Sequence, residues 1–124
     1  MHWLPNAHTG YDVVPEARHW AERELTGCSE RHRERVTLIA SELMTNAVMH
    51  ARGPFRFGID TTSRCTRVEV WDHSPESAPE TLVGPSDRDV GGWGLAIVHR
   101  YSDRWGTSRR GRWKCIWSEI ATDR

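Results

Sequence analysis

The sequence predicts an α+β fold, a two-layer sandwich whose mostly antiparallel, mixed sheet carries helices on one face. Three observations predict it. Two stretches with helical spacing open the chain, Val14 to Leu25 and Val36 to Ala51. Two alternating stretches follow in close succession, from Phe55 and from Thr66. After a long loop and a short third helix, two more alternating stretches close the chain. Strands joined this tightly pair as antiparallel neighbours, and the helices collect on the face they bury. At 124 residues the chain has the length of one compact domain, 1–124.

Each element has a local cause. Residues 1–13 read as irregular, with room for a short strand. Pro15 suits a first helical turn; Val14, Ala17, Ala21 and Leu25 mark one face, and Gly27 can end the helix. Ser29 suits the N-cap of a longer helix. Its apolar face is Val36, Ile39, Ala40, Leu43, Ala47 and Ala51, and Gly53-Pro54 stops it. Phe55, Phe57 and Ile59 alternate with Arg56, Gly58 and Asp60, the period of a half-buried strand. Val68, Val70 and Asp72 share one face of the next strand. Pro75, Pro79, Gly84 and Pro85 mark a loop reaching about Val90. Gly91-Gly92-Trp93-Gly94 leads into a helix from Leu95 to about Tyr101. Strands near 104–108 and 113–120 flank a turn at Arg109–Arg112.

Composition narrows the function classes. Acidic and basic residues are equal at 17 each and the pI is near 7.1, so no global field draws nucleic acid or an anionic membrane. No stretch approaches a membrane span and no secretory leader is visible, which predicts a cytoplasmic protein. Cys28, Cys65 and Cys115 are scattered and odd in number, which fits reduced thiols. Cys28-x-x-x-His32 has no second half at zinc-like spacing and reads as surface. Lys114 is the only lysine; Trp113 and Cys115 flank it, so a Gly-Lys-Ser/Thr phosphate loop is excluded.

Three constellations could carry chemistry. Glu42 and Asn46 lie one turn apart at the margin of an apolar helix face, and His50 continues the row. Alone, this pattern also describes a solvated helix edge. Asp72 continues the inward alternation of Val68 and Val70, where a carboxylate needs a partner; Asp-His-Ser-Pro is equally good turn chemistry. The glycines at 91, 92 and 94 precede a helix start, where unpaired N–H groups can meet phosphate, or simply a flexible loop ends. The G-x-G-x-x-G spacing of a dinucleotide fold is absent.

Together, "SELMTNAVMHA", "VEVWDHSPESAP" and "GGWGLAIVHRYSDRWG", followed by "WKCIWSEI", resemble the N, D and glycine boxes of the GHKL (Bergerat-fold) ATPases. More narrowly the chain is similar to the small bacterial anti-sigma-factor serine/threonine kinases and their histidine-kinase-like ATP-binding relatives, from about Val14 to Ile120. The resemblance implies ATP and Mg²⁺ as cofactors. Asn46 would coordinate the Mg²⁺ that bridges the phosphates, and Glu42 would be the general base. Asp72 would accept a hydrogen bond from the adenine amino group. Gly91, Gly92, Gly94 and Leu95 would cradle phosphate with backbone N–H groups, His50 would stand with the nucleotide contacts, and 75–90 would be the lid. Ser74 stands where the family has a glycine, and Trp93 where a polar or basic residue is common. Arg52, Arg88 and Arg100 are the candidates for charge near the phosphates.

Three functions follow. One is an ATP-dependent serine/threonine kinase that phosphorylates an anti-sigma-factor antagonist and sequesters a sigma factor, with a homodimer expected by analogy. Another is a non-catalytic nucleotide-binding or partner-binding module of the same fold, with tryptophans for interfaces. The last is nucleic-acid binding through Arg100, Arg104, Arg109, Arg110 and Arg112 interleaved with Tyr101, Trp105 and Trp113. Net charge zero favours a plain charged hairpin over that third reading.

Overall fold

The computed structural model describes residues 1–5, 12–50, 52–73 and 95–122. The elements in chain order are β1 (His2–Trp3), α1 (Val13–Glu24), α2 (Glu30–His50), β2 (Arg52–Thr61), β3 (Cys65–His73), α3 (Ala96–Tyr101), β4 (Arg104–Arg110) and β5 (Trp113–Ala121). The five strands form one sheet in the order β1-β2-β3-β5-β4, and every pair is antiparallel. The predicted two-layer α+β fold is therefore present. Its sheet is not mixed among the described residues: β2–β3 and β4–β5 close through short turns, and β1–β2 and β3–β5 pair antiparallel across longer stretches of chain.

The helix starts follow their local signals. Pro15 sits in the first turn of α1, and the backbone N–H of His32 donates to the Ser29 hydroxyl at 3.1 Å, capping α2. The buried face of α1 is Val13, Ala17, Trp20 and Ala21, with Leu25 just beyond; Val14, placed on that face from spacing, is only half-buried. Trp20 explains the rotation. Its ring packs edge-on against Phe57 with centroids 5.7 Å apart, so the helix turns its indole inward.

The sheet buries alternate residues against the helices. Phe55, Phe57 and Ile59 face inward from β2, Val68 and Val70 from β3, Ile116 and Ile120 from β5, meeting Val36, Ile39, Ala40, Leu43 and Ala47 of α2. β2 begins at Arg52, earlier than expected, because Arg52 pairs with His73 before the register shifts ahead of Arg56. Pro54 lies in that interval and has no N–H to give to a ladder. Gly111, at φ +58, supplies the left-handed residue that closes the β4–β5 hairpin. His32 corrects a surface reading: it is 2% exposed and its Nε2 lies 2.8 Å from Thr66 Oγ1. No described helix is long and apolar enough to cross a membrane.

Candidate functional site

Both ends of α2 are tied to the two ends of β3. Near its start, His32 bonds to Thr66; past its end, Arg52 pairs with His73. The helix therefore runs along β3 in the same direction. Asn46 lies about 21 Å of helix beyond His32. Asp72 lies about 20 Å of strand beyond Thr66. The two side chains thus reach the same end of the layer between helix and sheet. Asn46 is 6% exposed and Asp72 2%, so both are enclosed there.

Asp72 points inward, as the alternation predicts, and not into the turn that follows. Its cross-strand neighbour is Lys114, and the neighbour of Lys114 on the far side is Arg109. A polar row thus replaces the apolar one at this end of the sheet; one step along, the row is Val70, Ile116 and Thr107. The only lysine of the chain is 3% exposed. Burial pushes its ammonium below the usual lysine range; Asp72 pulls it back up, and Arg109 pushes it down again. The sequence signal for Lys114 was available: Lys114, Ile116, Ser118 and Ile120 alternate as one face. What was missing is the pairing that sets it beside Asp72.

On the helix side, Asn46 Oδ1 is buried and meets no hydrogen-bond donor among the described residues. Such an acceptor costs about 1–3 kcal/mol when left empty. Glu42, one turn earlier on the same side, is half-buried and open to an incoming group. His50, a turn further on, is exposed and already engaged by a neighbour. The structure thus brings Glu42, Asn46 and Asp72 to one end, adds Lys114 and Arg109, and leaves His50 on the rim.

α3 runs back along α2. Its C-terminal Tyr101 carbonyl accepts from Arg35 Nε at 2.6 Å, near the start of α2, so Leu95 begins α3 on the side nearer the polar end. Leu95 is fully buried in the core. Gly91, Gly92, Gly94, Trp93, Ser74, Arg88 and the expected lid at 75–90 lie outside the described residues. Arg100 is exposed with its guanidinium 5.6 Å from the Tyr101 ring centroid. The Arg–Trp interleaving near the C-terminus does not form one surface: Trp105 is buried and its Nε1 donates to His99 Nδ1 at 3.2 Å. Arg110 and Trp113 face the other side of the sheet.

The donor set fits a hard cation held mainly by its ligand. Asn46 offers one neutral oxygen, and no group of three His, Cys, Asp or Glu side chains among the described residues could hold a metal alone. Mg²⁺ takes that pattern, keeping waters and phosphate oxygens as its other ligands.

A buried acceptor on a helix thus lies level with a buried Asp72–Lys114 pair on the sheet, at one end of the layer between them. Residues 10–118 match the model of the histidine kinase-like ATPase domain, and the chain belongs to that family. It is an ATP-binding domain of the GHKL type. Among curated proteins no relative matches.

Proposed function

We propose that the chain is an ATP- and Mg²⁺-dependent serine/threonine protein kinase of the anti-sigma-factor type, phosphorylating an antagonist protein. The observation that carries this reading is the buried Asn46 Oδ1, which meets no donor among the described residues, one helical turn from Glu42 and level with Asp72. Asp72 accepts from the exocyclic amine of adenine, with Lys114 beside it across the strand pair. Asn46 gives Oδ1 to Mg²⁺, which when bound neutralises phosphate charge. Glu42 takes the proton from the attacking hydroxyl of the partner. Backbone N–H groups at Gly91, Gly92, Gly94 and Leu95 hold phosphate oxygens, and His50 borders the phosphate end.

The test is calorimetric titration with ATP, with and without Mg²⁺, on the wild type and on Asp72→Asn. Binding that needs Mg²⁺ in the wild type and disappears in the variant supports the pocket; no heat at millimolar ATP overturns it. Glu42→Ala then separates binding from chemistry: ATP affinity is retained and phosphate transfer to an antagonist protein is lost. Loss of ATP binding in Glu42→Ala argues against the base role. A non-catalytic partner-binding module of the same fold is the second reading. Ser74 in place of a glycine of the second box favours it. ATP binding without transfer in the wild type would select it.

A further inference from the structure

The sheet face turned away from the helices holds a second built surface. One register row crosses all five strands there: Trp3, Gly58, Glu69, Trp117 and Gly106. The two indoles lie down on the two glycines. A Cβ on Gly58 would fall 2.7 Å from the Trp3 ring, and one on Gly106 would fall 2.9 Å from the Trp117 ring. An arginine covers the other face of each indole, with Arg56 4.4 Å from the Trp3 centroid and Arg67 4.5 Å from the Trp117 centroid. Arg110 lies beside Trp71 at a looser 6.0 Å from its ring centroid. Between these stacks lies a hollow of about 490 Å³, floored by Glu69, Trp71 and Trp113.

The charges on this face do not cancel. Glu69 is held by Arg67 at 2.7 Å and by the Trp71 indole N–H at 2.9 Å; Glu119 is held by Arg67 at 3.1 Å and Arg104 at 3.6 Å. Both carboxylates are thus used. Arg56 and Arg110 are exposed, and among the described residues neither has a carboxylate within ion-pair distance. Each guanidinium lies against an indole with its N–H groups unmatched by carboxylate among the described residues, and a guanidinium fork can grip a carboxylate with two parallel bonds. Two cations therefore flank a floor of two indoles and the already paired Glu69.

We infer that this trough docks an acidic, extended peptide segment of a partner protein, on the side of the sheet opposite the nucleotide pocket. Carboxylates of the segment engage Arg56 and Arg110, and its intervening apolar side chains settle on Trp71 and Trp113. A single-stranded nucleic acid fits less well, because arginines and glycines already occupy both faces of Trp3 and Trp117, leaving those rings unable to stack on bases. A second copy of the chain fits less well too, because a twofold meeting brings the uncompensated arginines of one protomer toward those of the other. This inference does not depend on the nucleotide reading.

The test is fluorescence anisotropy of the full chain with a labelled peptide of alternating Glu and Leu, a Lys/Leu peptide serving as control. The acidic peptide is expected to bind and the basic one not. Arg56→Ala and Arg110→Ala should each weaken binding about tenfold and the pair about a hundredfold, while Arg18→Ala, on exposed α1, changes nothing. An unchanged melting temperature shows that the double variant is folded. Absence of binding, or equal binding by the double variant, overturns the proposal. Tighter binding of oligothymidylate through the same arginines replaces it with a nucleic-acid surface. Self-association in sedimentation that vanishes in the double variant replaces it with an interface between copies.

Discussion

The two faces of the sheet come from the same strands and differ in how their charges are met. On the inner face the charged residues share one row at one end, Asp72 and Lys114 buried and Arg109 half-buried, with Asn46 above, while the uncharged Thr66, Ser118 and His32 are buried toward the other end. On the outer face the charges are many and half-exposed, and most are matched by neighbours within the face. Burial decides the contrast. A buried charge gains or loses several kcal/mol with its partner, whereas an exposed pair is screened and worth little. The inner row therefore governs folding and, in the proposed function, ligand binding with it, and the outer face can change without disturbing the core.

Breaking the inner pair should have the largest effect. Lys114→Met leaves the Asp72 carboxylate buried without its cationic neighbour and should cost about 3 kcal/mol or more of stability, read by urea denaturation at neutral pH. Adding Asp72→Asn to that variant should restore part of the loss, since the buried carboxylate is then replaced by a neutral amide while Arg109 stays in the row; a loss that stays whole puts the pair's role in packing alone.

The next effect falls on binding. Asp72→Asn should weaken ATP about a hundredfold in calorimetry, because the amide then presents a donor to the adenine amine. Asn46→Ala should lower ATP affinity about tenfold, only when Mg²⁺ is present, and change the melting temperature little, since Oδ1 makes no bond to the described residues. An equal loss with and without Mg²⁺ would break the assignment to the cation.

On the outer face Gly106→Ala should lift Trp117 off the strand and cost about 1 kcal/mol, with reduced tryptophan fluorescence anisotropy. This is smaller than the inner-pair effect because a half-exposed indole can tilt away.

Alkaline titration sharpens the comparison by sign. Burial pushes the Cys115 thiol up from its ordinary 9.0 to about 12, so above pH 9 the unfolded chain loses a proton that the folded chain keeps. Stability should then fall by about 1.4 kcal/mol per pH unit from this group. Lys114 acts oppositely. Its lowered value means that the unfolded chain holds the extra proton, so stability rises with pH from the folded value up to 10.5. Cys115→Ala should flatten the first limb and leave the second, as read by denaturation between pH 8 and 11.

Much of this was legible in the chain. Ser29 caps α2 because a hydroxyl three residues before His32 can reach its N–H, a strictly local relation. Glu42 and Asn46 share a side because a helix repeats every 3.6 residues. Asp72 points inward because a strand alternates every two. Lys114 was passed over because its meaning depends on pairing with a strand some forty residues away. His32 was misread for the same reason: only Thr66 across the layer satisfies its ring. The tryptophans gave no hint of their division: of the six among the described residues, Trp20 and Trp105 go to the core while Trp3, Trp71, Trp113 and Trp117 share the outer face.

The sequence by itself determined the element order, the faces of each helix and strand, and the family boxes, since all of these follow from spacing within a few residues. Only the tertiary structure decided which faces meet. The order β1-β2-β3-β5-β4 places the last strand beside β3, and that single adjacency sets Lys114 against Asp72 on one side and Trp113 against His73 on the other. Strand partners are chosen by burial of the whole apolar layer, a sum over distant residues, and so lie beyond any local reading of the chain.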